Sequence, residues 1–354
     1  MISLNRGEWS ELYVVLFLLI EPKLEIVDEK LNTIEKGIFE IRKIILNAND
    51  KLEYCIEKNS VYVYMNFIEY NKMSINEVNE ICKKIYKGII NNNKTSGAFS
   101  IIGVDTFLGK FSNGEIIKGK SIQKEDIETI VFDNKKLKDV NLKYSIKSLL
   151  GRPATLLNSS QHTNFRYSVT NISKEDIKVI NSINTRTKLL DRMAEIEEKD
   201  GIILFDKVVS PTFDYNLRMV DSNMPEYLGN MLLSSYANNE KDLKELFLHH
   251  IPKIDKNFAI KKLEDLLSAI CFSFIPSEKW GGHQSVNGGF LIVNTDGKIL
   301  VLDLVYYKQH VLNYLVNNTK LDSPSSTRYH MFELYEENGR VYFTLNLQIR
   351  YKNL

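Results

Sequence analysis

Asp126-Ile127-Glu128-Thr129-Ile130-Val131-Phe132, and after it Leu142-Lys143-Tyr144-Ser145-Ile146-Lys147-Ser148-Leu149, is the stretch that decides how this chain reads. Ile127 to Phe132 and Leu142 to Leu149 are apolar and β-branched enough to be two strands. Asp133-Asn134-Lys135-Lys136 makes the turn between them, and Gly151-Arg152-Pro153 ends the second. An acid thus enters one strand and a lysine sits among small polar residues on its neighbour. In an extended strand Ser145 and Lys147 share a face, which meets Asp126 if the strands pair with Asp126 at the mouth.

That pairing suits phosphodiester hydrolysis, which needs a Lewis acid, an activated water and charge stabilisation of a crowded phosphate. Asp126 offers the hard oxygen that Mg²⁺ prefers, and the Ile146 carbonyl offers another. Lys147 can orient or deprotonate the attacking water and neutralise developing charge. A surface acid and a surface lysine on a hairpin would look the same. Two features weigh against that plainer reading. Lys147 lies among Ile146, Leu149 and Leu150, where a charge without a task is costly. Lys135, Lys136, Lys138, Lys143 and Arg152 make this the most basic neighbourhood of the chain, as a phosphate-binding cleft requires, although a solvated lysine face explains them equally well.

The rest of the composition sets bounds. With 354 residues, the chain has room for two domains or one elaborated one. Apolar residues at 44% and charged residues at 26% describe a globular protein. The net charge of +1 puts any nucleic-acid affinity in local patches. Cys55, Cys82 and Cys271 match neither a zinc site nor a disulfide framework, so a reduced, cytoplasmic setting is expected. The apolar run Leu12 to Ile20 is too short to span a bilayer and follows Glu8 and Glu11, so it reads as a buried helix with no export and no membrane partner.

Along the chain, Pro22 interrupts the first helix. A second helical pattern is expected over Lys23 to Leu46, where Ile26, Leu31, Ile34, Ile38, Ile41 and Ile45 recur. Val61 to Phe67 alternates as a strand. Ser74 with Glu77 begins a helix reaching Ile90. Thr155 to Ser160 enters a short helix and Phe165 to Thr170 a strand. Helical patterns follow near Pro225–Tyr236, Lys241–His249 and Ala259–Cys271. Phe290 to Val305, with Asp296-Gly297 at its middle, is a hairpin, and Tyr342 to Tyr351 is one further strand. The expected fold is α/β: a central mixed β-sheet flanked by helices, with a mixed α+β C-terminal half. Residues 1–175 form the catalytic core and residues 176–354 a DNA-recognition and clamp region.

Glu11 is a second candidate for the site. It lies one turn from Gly7 on a helix face that becomes buried, where it serves either as a further metal ligand or as a first-turn acid favoured by the helix dipole. For Glu8 the dipole reading is preferred.

The polar run Asn158-Ser159-Ser160-Gln161-His162-Thr163-Asn164, bracketed by Arg152 and Arg166, is dense in groups that read bases or hold phosphates. Lys279 to Gly289, including Gln284, is a second such loop, and its glycines admit close backbone approach. Ser325 to His330, including Arg328, is a third. Gln348 and Arg350 alternate on a strand and share a face. No H-x-x-x-H spacing, Walker A loop or G-x-G-x-x-G run is present, which removes histidine-metal nuclease, NTP-driven and dinucleotide chemistries.

Taken together, these residues resemble the HpaII-type family of type II restriction endonucleases, a branch of the PD-(D/E)XK nuclease superfamily. The resemblance runs through Asn5-Arg6-Gly7-Glu8-Trp9-Ser10-Glu11-Leu12-Tyr13, Asp126-Ile127, Tyr144-Ser145-Ile146-Lys147-Ser148, Leu150-Gly151 and Thr155-Leu156-Leu157-Asn158. It continues through Asn287-Gly288-Gly289-Phe290, Asn318-Thr319-Lys320, Pro324-Ser325-Ser326 and Leu345-Asn346-Leu347-Gln348-Ile349-Arg350. It implies a restriction-endonuclease-like core and a Mg²⁺-dependent endonuclease. Such an enzyme cuts both strands of duplex DNA at a short palindrome, of CCGG type after the family's namesake, and leaves 5′-phosphate and 3′-hydroxyl ends. The resemblance maps the metal-binding aspartate onto Asp126, the catalytic lysine onto Lys147 and the helix glutamate onto Glu11. It also implies a cognate DNA methyltransferase as a functional rather than physical partner.

The chain departs from the family pattern at Ser145, where the superfamily usually has an acid. Glu11, Glu125 or Glu128 is then expected to replace the missing acid, or a single metal is used. Alternation puts Glu128 on the face of Asp126. A homodimer and a single protomer acting sequentially both suit a palindrome. Two other functions remain open: a structure-specific repair or junction nuclease of the same superfamily, and a non-catalytic DNA-binding protein.

Overall fold

The computed structural model describes residues 2–47, 51–92, 97–114, 124–151, 153–251, 255–324 and 330–352. They fall into two compact units, Met1–Ala154 with Gln284–Tyr314 and Asn353–Leu354, and Thr155–His283 with Leu315–Lys352. The expected division near residue 175 is therefore replaced by one at 154/155, and the first unit reclaims a late segment. The cause is strand pairing. Gly289–Val293 lies parallel to Lys138–Ser148, with Gly289 opposite Tyr144 and Ile292 opposite Lys147.

Among the described residues of the first unit, one sheet has the strand order Lys23–Val27, Ile299–Asp303, Gly289–Val293, Lys138–Ser148, Ile127–Asp133, Thr33–Asn47, Lys51–Glu57, Ser60–Met65 and Ile68–Ser74. It is mixed: Gly289–Val293 on Lys138–Ser148 and Ile299–Asp303 on Lys23–Val27 are parallel, and the other pairings are antiparallel. Lys23–Val27 also pairs with Thr33–Asn47, so the first six strands of that order close on themselves.

The helix Arg6–Ile20 packs against this sheet, touching Lys138–Ser148, Gly289–Val293 and Thr33–Asn47, and against the helix Ile75–Asn91. It begins with a capping box: Asn5 accepts from Glu8 N at 3.0 Å and Glu8 accepts from Asn5 N at 2.8 Å. Trp9, Leu12, Val14, Val15, Leu16, Leu18 and Leu19 are all buried. A helix apolar on every side must lie inside the core, which is where this one sits. It is too short to cross a membrane, and no described helix is long and apolar enough to do so.

The helix expected over Lys23 to Leu46 is instead two strands joined by a turn. Asp28 Oδ1 accepts from Lys30 N and Asn32 N, and Leu31 takes a φ of 64°. Register shifts between Lys23 and Glu25 and between Ile41 and Lys43 disturb the alternation, so the isoleucines fall at spacings that mimic a helix. The hairpin expected around Asp296-Gly297 is present: Asn294 Oδ1 takes the Asp296 and Lys298 amides, and Gly297 has a φ of 81°.

The second unit carries a four-stranded sheet in the order Ile202–Val208, Asn164–Thr170, Arg340–Asn346 and Tyr335–Glu337. A smaller sheet has Ile349–Tyr351 between Thr155–Leu157 and Thr319–Leu321. Its helices include Met224–Asn238, Leu243–His250 and Lys256–Phe272, close to the three expected there. Thr155 onward is a short strand rather than a helix, and Tyr342 to Tyr351 is two strands broken at Leu347-Gln348.

One helix start in this unit is held by a carboxylate with a lowered pKa. Ser173 caps Lys174–Ser182, and Asp176 bonds both to that cap and to Lys199. The Ser173 hydroxyl and then Lys199 hold the Asp176 carboxyl down at about 2. A depressed carboxyl stabilises the fold above its ordinary range and loses that effect as pH falls towards the folded-state value. Asp176→Asn should therefore lower the urea midpoint at pH 6 and differ little from the parent near pH 2. A gap of equal size at both pH values would refute this account.

Candidate active site

Asp126 lies one residue before the strand Ile127–Asp133, directly across from Ser145, because Ile127 pairs with Tyr144. Its amide donates to the Tyr144 carbonyl at 2.9 Å. Asp126 Oδ2 accepts from Ile146 N at 2.6 Å and from Ser145 Oγ at 3.1 Å. Lys147 Nζ donates to Ser145 Oγ at 2.7 Å and to the Ile146 carbonyl at 3.1 Å. It also stands 5.7 Å from the centroid of the Phe290 ring. Asp126, Ser145, Ile146 and Lys147 are thus joined in one network. Strand alternation explains the selection: Lys143, Ser145 and Lys147 lie on one face, while Leu142, Tyr144 and Ile146 point into the core.

Glu125 and Glu128 are committed elsewhere. Lys143 reaches Glu125 at 3.3 Å and Glu128 at 4.0 Å, and Asn141 donates to Glu128 at 2.6 Å. Glu128 does share the strand face of Asp126, two residue pairs further along, opposite Lys143. Glu11 is half-buried on the helix Arg6–Ile20. Its neighbour Ser10 donates to Ser148 Oγ at 3.0 Å, which ties that helix to the end of the lysine strand. Among the described residues no three Asp, Glu, His or Cys side chains gather where they could hold a metal ion. Glu11 therefore completes no three-acid cage.

Whether these residues suit a divalent cation turns on the free oxygens. Both bonds to the Asp126 carboxylate fall on Oδ2, and Oδ1 carries none among the described residues. That carboxylate oxygen and the remaining lone pair of the Ile146 carbonyl, which already accepts from Lys147, fit Mg²⁺, which keeps much of its water and is commonly completed by substrate phosphates.

The run Asn287-Gly288-Gly289-Phe290 supports the site by a route that its glycines only hinted at. Asn287 Oδ1 accepts from Lys143 N at 2.7 Å and its Nδ2 donates to the Asn141 carbonyl at 3.1 Å. A Cβ at Gly288 would lie 2.6 Å from the Tyr144 ring. Gly289 has a φ of 111°, and a Cβ there would lie 2.1 Å from the Leu302 carbonyl. These two glycines thus permit close approach within the protein. Gly289 lies between Tyr144 and Asp303, its two cross-strand partners. Burial, and then the Asp303 charge, push the Tyr144 phenol well above its ordinary value, so it stays neutral. Burial raises the Asp303 carboxyl, opposed by the Tyr306 and Val305 amides. Sequence reasoning missed Asn287, Phe290 and Ser10 as supports; the signal was an Asn-Gly-Gly-Phe run entering a strand.

The residues expected to read DNA fare unevenly. Arg152 and Arg328 lie outside the described residues. Asn158, Gln161, Lys279 and Gln284 are exposed. Lys279 lies 4.4 Å from the Tyr215 ring centroid, and Gln284 donates to the Val286 carbonyl at 2.5 Å. The others are used within the fold. Fully buried Asn346 donates to the Ser160 carbonyl at 2.6 Å and to Asn164 Oδ1 at 2.7 Å, and accepts from Thr163 at 3.2 Å. Ser160 Oγ caps the short turn Gln161–Thr163. Arg166 is held by Asp206 at 2.6 Å and Glu337 at 2.7 Å and lies over Tyr342. Gln348 is buried, and Arg350 pairs with Asp322 at 3.1 Å. Ser160, Thr163, Asn164, Arg166, Gln348 and Arg350 are thus each buried or bonded within the protein.

A sequence model of the family described as HpaII restriction endonuclease matches residues 5–351. A relative from Haemophilus parainfluenzae, the type II restriction enzyme HpaII, is 31% identical over 359 residues, covering 98% of each chain. No solved structure matches the chain.

Proposed function

The chain belongs to the HpaII restriction endonuclease family and is a site-specific deoxyribonuclease; from that premise we propose that it cuts both strands of duplex DNA at a short palindrome of CCGG type, with Mg²⁺ as cofactor, leaving 5′-phosphate and 3′-hydroxyl ends. The observation that carries the proposal is the junction of Asp126 and Lys147 through Ser145 and the Ile146 backbone.

Asp126 Oδ1 and the Ile146 carbonyl are the atoms that would hold Mg²⁺. When bound, the ion supplies Lewis acidity to the scissile phosphate. The Lys147 ammonium has three donors, of which Ser145 and Ile146 take two. The third is left to orient a water for in-line attack or to meet a non-bridging phosphate oxygen, where it neutralises the charge that develops. Phe290 beneath the ammonium and the two oxygen acceptors keep it in place. Duplex DNA is the substrate. A homodimer would place two such sites about the two-fold axis of a palindrome. A cognate DNA methyltransferase would protect the host's own sites without physical association.

Digestion of a long DNA of known sequence, with Mg²⁺ and with chelator, followed by sequencing of the fragment ends, tests this. The expected result is discrete fragments, only with Mg²⁺, whose ends share one palindromic tetranucleotide. A smear or structure-dependent nicks would replace the proposal with a junction or repair nuclease. Salt-sensitive binding without cutting would replace it with a DNA-binding protein.

A further inference from the structure

Ser145 occupies the position where a second acid would make a two-carboxylate site, and it touches both charged groups. It is 3% exposed, so its hydroxyl must find partners inside the protein. It donates to Asp126 Oδ2 and accepts from Lys147 Nζ. A hydroxyl does both at once; a carboxylate can only accept. An acid at 145 would sit against Asp126, and the two like charges would need a cation or a proton between them to coexist. Serine removes that need, so the network closes on its own through Asp126, Ser145, Lys147 and the Ile146 backbone. Of the acids beside Asp126 in the chain, Glu125 and Glu128 face Lys143 and Asn141 instead.

We propose that Ser145 is a positioning residue whose hydroxyl holds Lys147 against Asp126, making a one-carboxylate centre that takes its divalent cation together with the DNA rather than before it. The inference rests on the nuclease reading of Asp126 and Lys147 given above. Its second half follows from the donor set. Within this network a cation meets one carboxylate and one carbonyl, too little to displace the water of a small hard ion. A DNA phosphate at the same place supplies the missing anionic oxygens.

The test uses the full chain and the variants Ser145→Ala, Ser145→Thr and Ser145→Asp, with Asp126→Asn as the control for the site itself. Thermal midpoints establish that each is folded. Ser145→Ala should lower kcat about 10- to 100-fold, the usual effect of removing a group that orients a catalytic side chain, with KM for DNA nearly unchanged. Ser145→Thr should recover most of that loss, because it returns the hydroxyl. Mn²⁺ titrated calorimetrically into the DNA-free parent should show no binding below the millimolar range, and Ser145→Asp should bind about tenfold tighter or better. Parent-like cleavage by Ser145→Ala, with Asp126→Asn inactive, would overturn the positioning role and leave the nuclease site standing. Equal loss in the alanine and threonine variants would overturn it too, since the hydroxyl would then not be what matters. Micromolar Mn²⁺ binding by the DNA-free parent would overturn the one-carboxylate centre. Cleavage by Asp126→Asn at the parent rate would overturn the underlying site assignment.

Discussion

Asp126→Asn and Lys147→Ala are each expected to reduce the single-turnover cleavage rate by about a thousandfold or more, with thermal midpoints close to the parent's and DNA binding in Ca²⁺ retained. Removing one preorganised group that stabilises transition-state charge costs about 10²- to 10³-fold, and each of these residues does more than that single task. Asparagine keeps an oxygen for the Ile146 amide and the Ser145 hydroxyl but gives up the anionic Oδ1. Truncating Lys147 removes the donor from Ser145 Oγ and from the Ile146 carbonyl together with the positive charge. Neither change opens a large cavity: Asn matches Asp in shape, and Lys147 is only half-buried. A folded variant of either kind that cuts within about tenfold of the parent would show that the chemistry lies elsewhere.

The second large effect is on the fold, at Gly289. Gly289→Ala is expected to destabilise the protein by about 3–5 kcal/mol, from a backbone conformation that L residues avoid together with steric overlap. The φ is 111°, and the added Cβ would meet the Leu302 carbonyl, a backbone atom that cannot turn aside. The damage should reach the active site. Gly289–Val293 supports Lys138–Ser148 in parallel register and sets Phe290 opposite Ser145, under Lys147. Cleavage should therefore fall in parallel with the denaturation midpoint and recover in part at low temperature. The aspartate and lysine variants lose rate without losing stability, so the two effects are separable. A Gly289→Ala protein with the parent's urea midpoint would mean that the strand shifts freely at this point.

Much of the site was legible in the chain. An acid and a lysine, on adjacent strands joined by a polar turn, can be paired from alternation alone, and Ile127 does face Tyr144. The helix start at Ser74 and Glu77 and the turn at Asp296-Gly297 were legible for the same reason: each depends on residues within four positions of one another. The helix expected over Lys23 to Leu46 shows where local reading failed. Five isoleucines and Leu31 among residues 26–45 satisfy a helical spacing on paper. Long-range pairing with Ile299–Asp303 and Ile127–Asp133 makes that segment two strands, and β-branched side chains accept the choice readily.

The polar residues were less legible for a different reason. Asn164, Thr163 and Ser160 carry the same donors and acceptors whether they face DNA or one another. Nothing near them in sequence announces that buried Asn346, 182 positions beyond Asn164, will claim them. Arg166 likewise looks basic until Asp206 and Glu337 are brought to it. The sequence by itself determined the chemical inventory of the site, an aspartate, a lysine and a serine where an acid is usual, along with the elements whose signals are short-range. The tertiary structure alone decided which polar groups are spent on each other, that Gln284–Tyr314 returns to support the lysine strand, and that Ser145 joins two charges. Hydrogen bonds and parallel strand pairs are satisfied by distance in space, and a linear pattern carries no record of that distance.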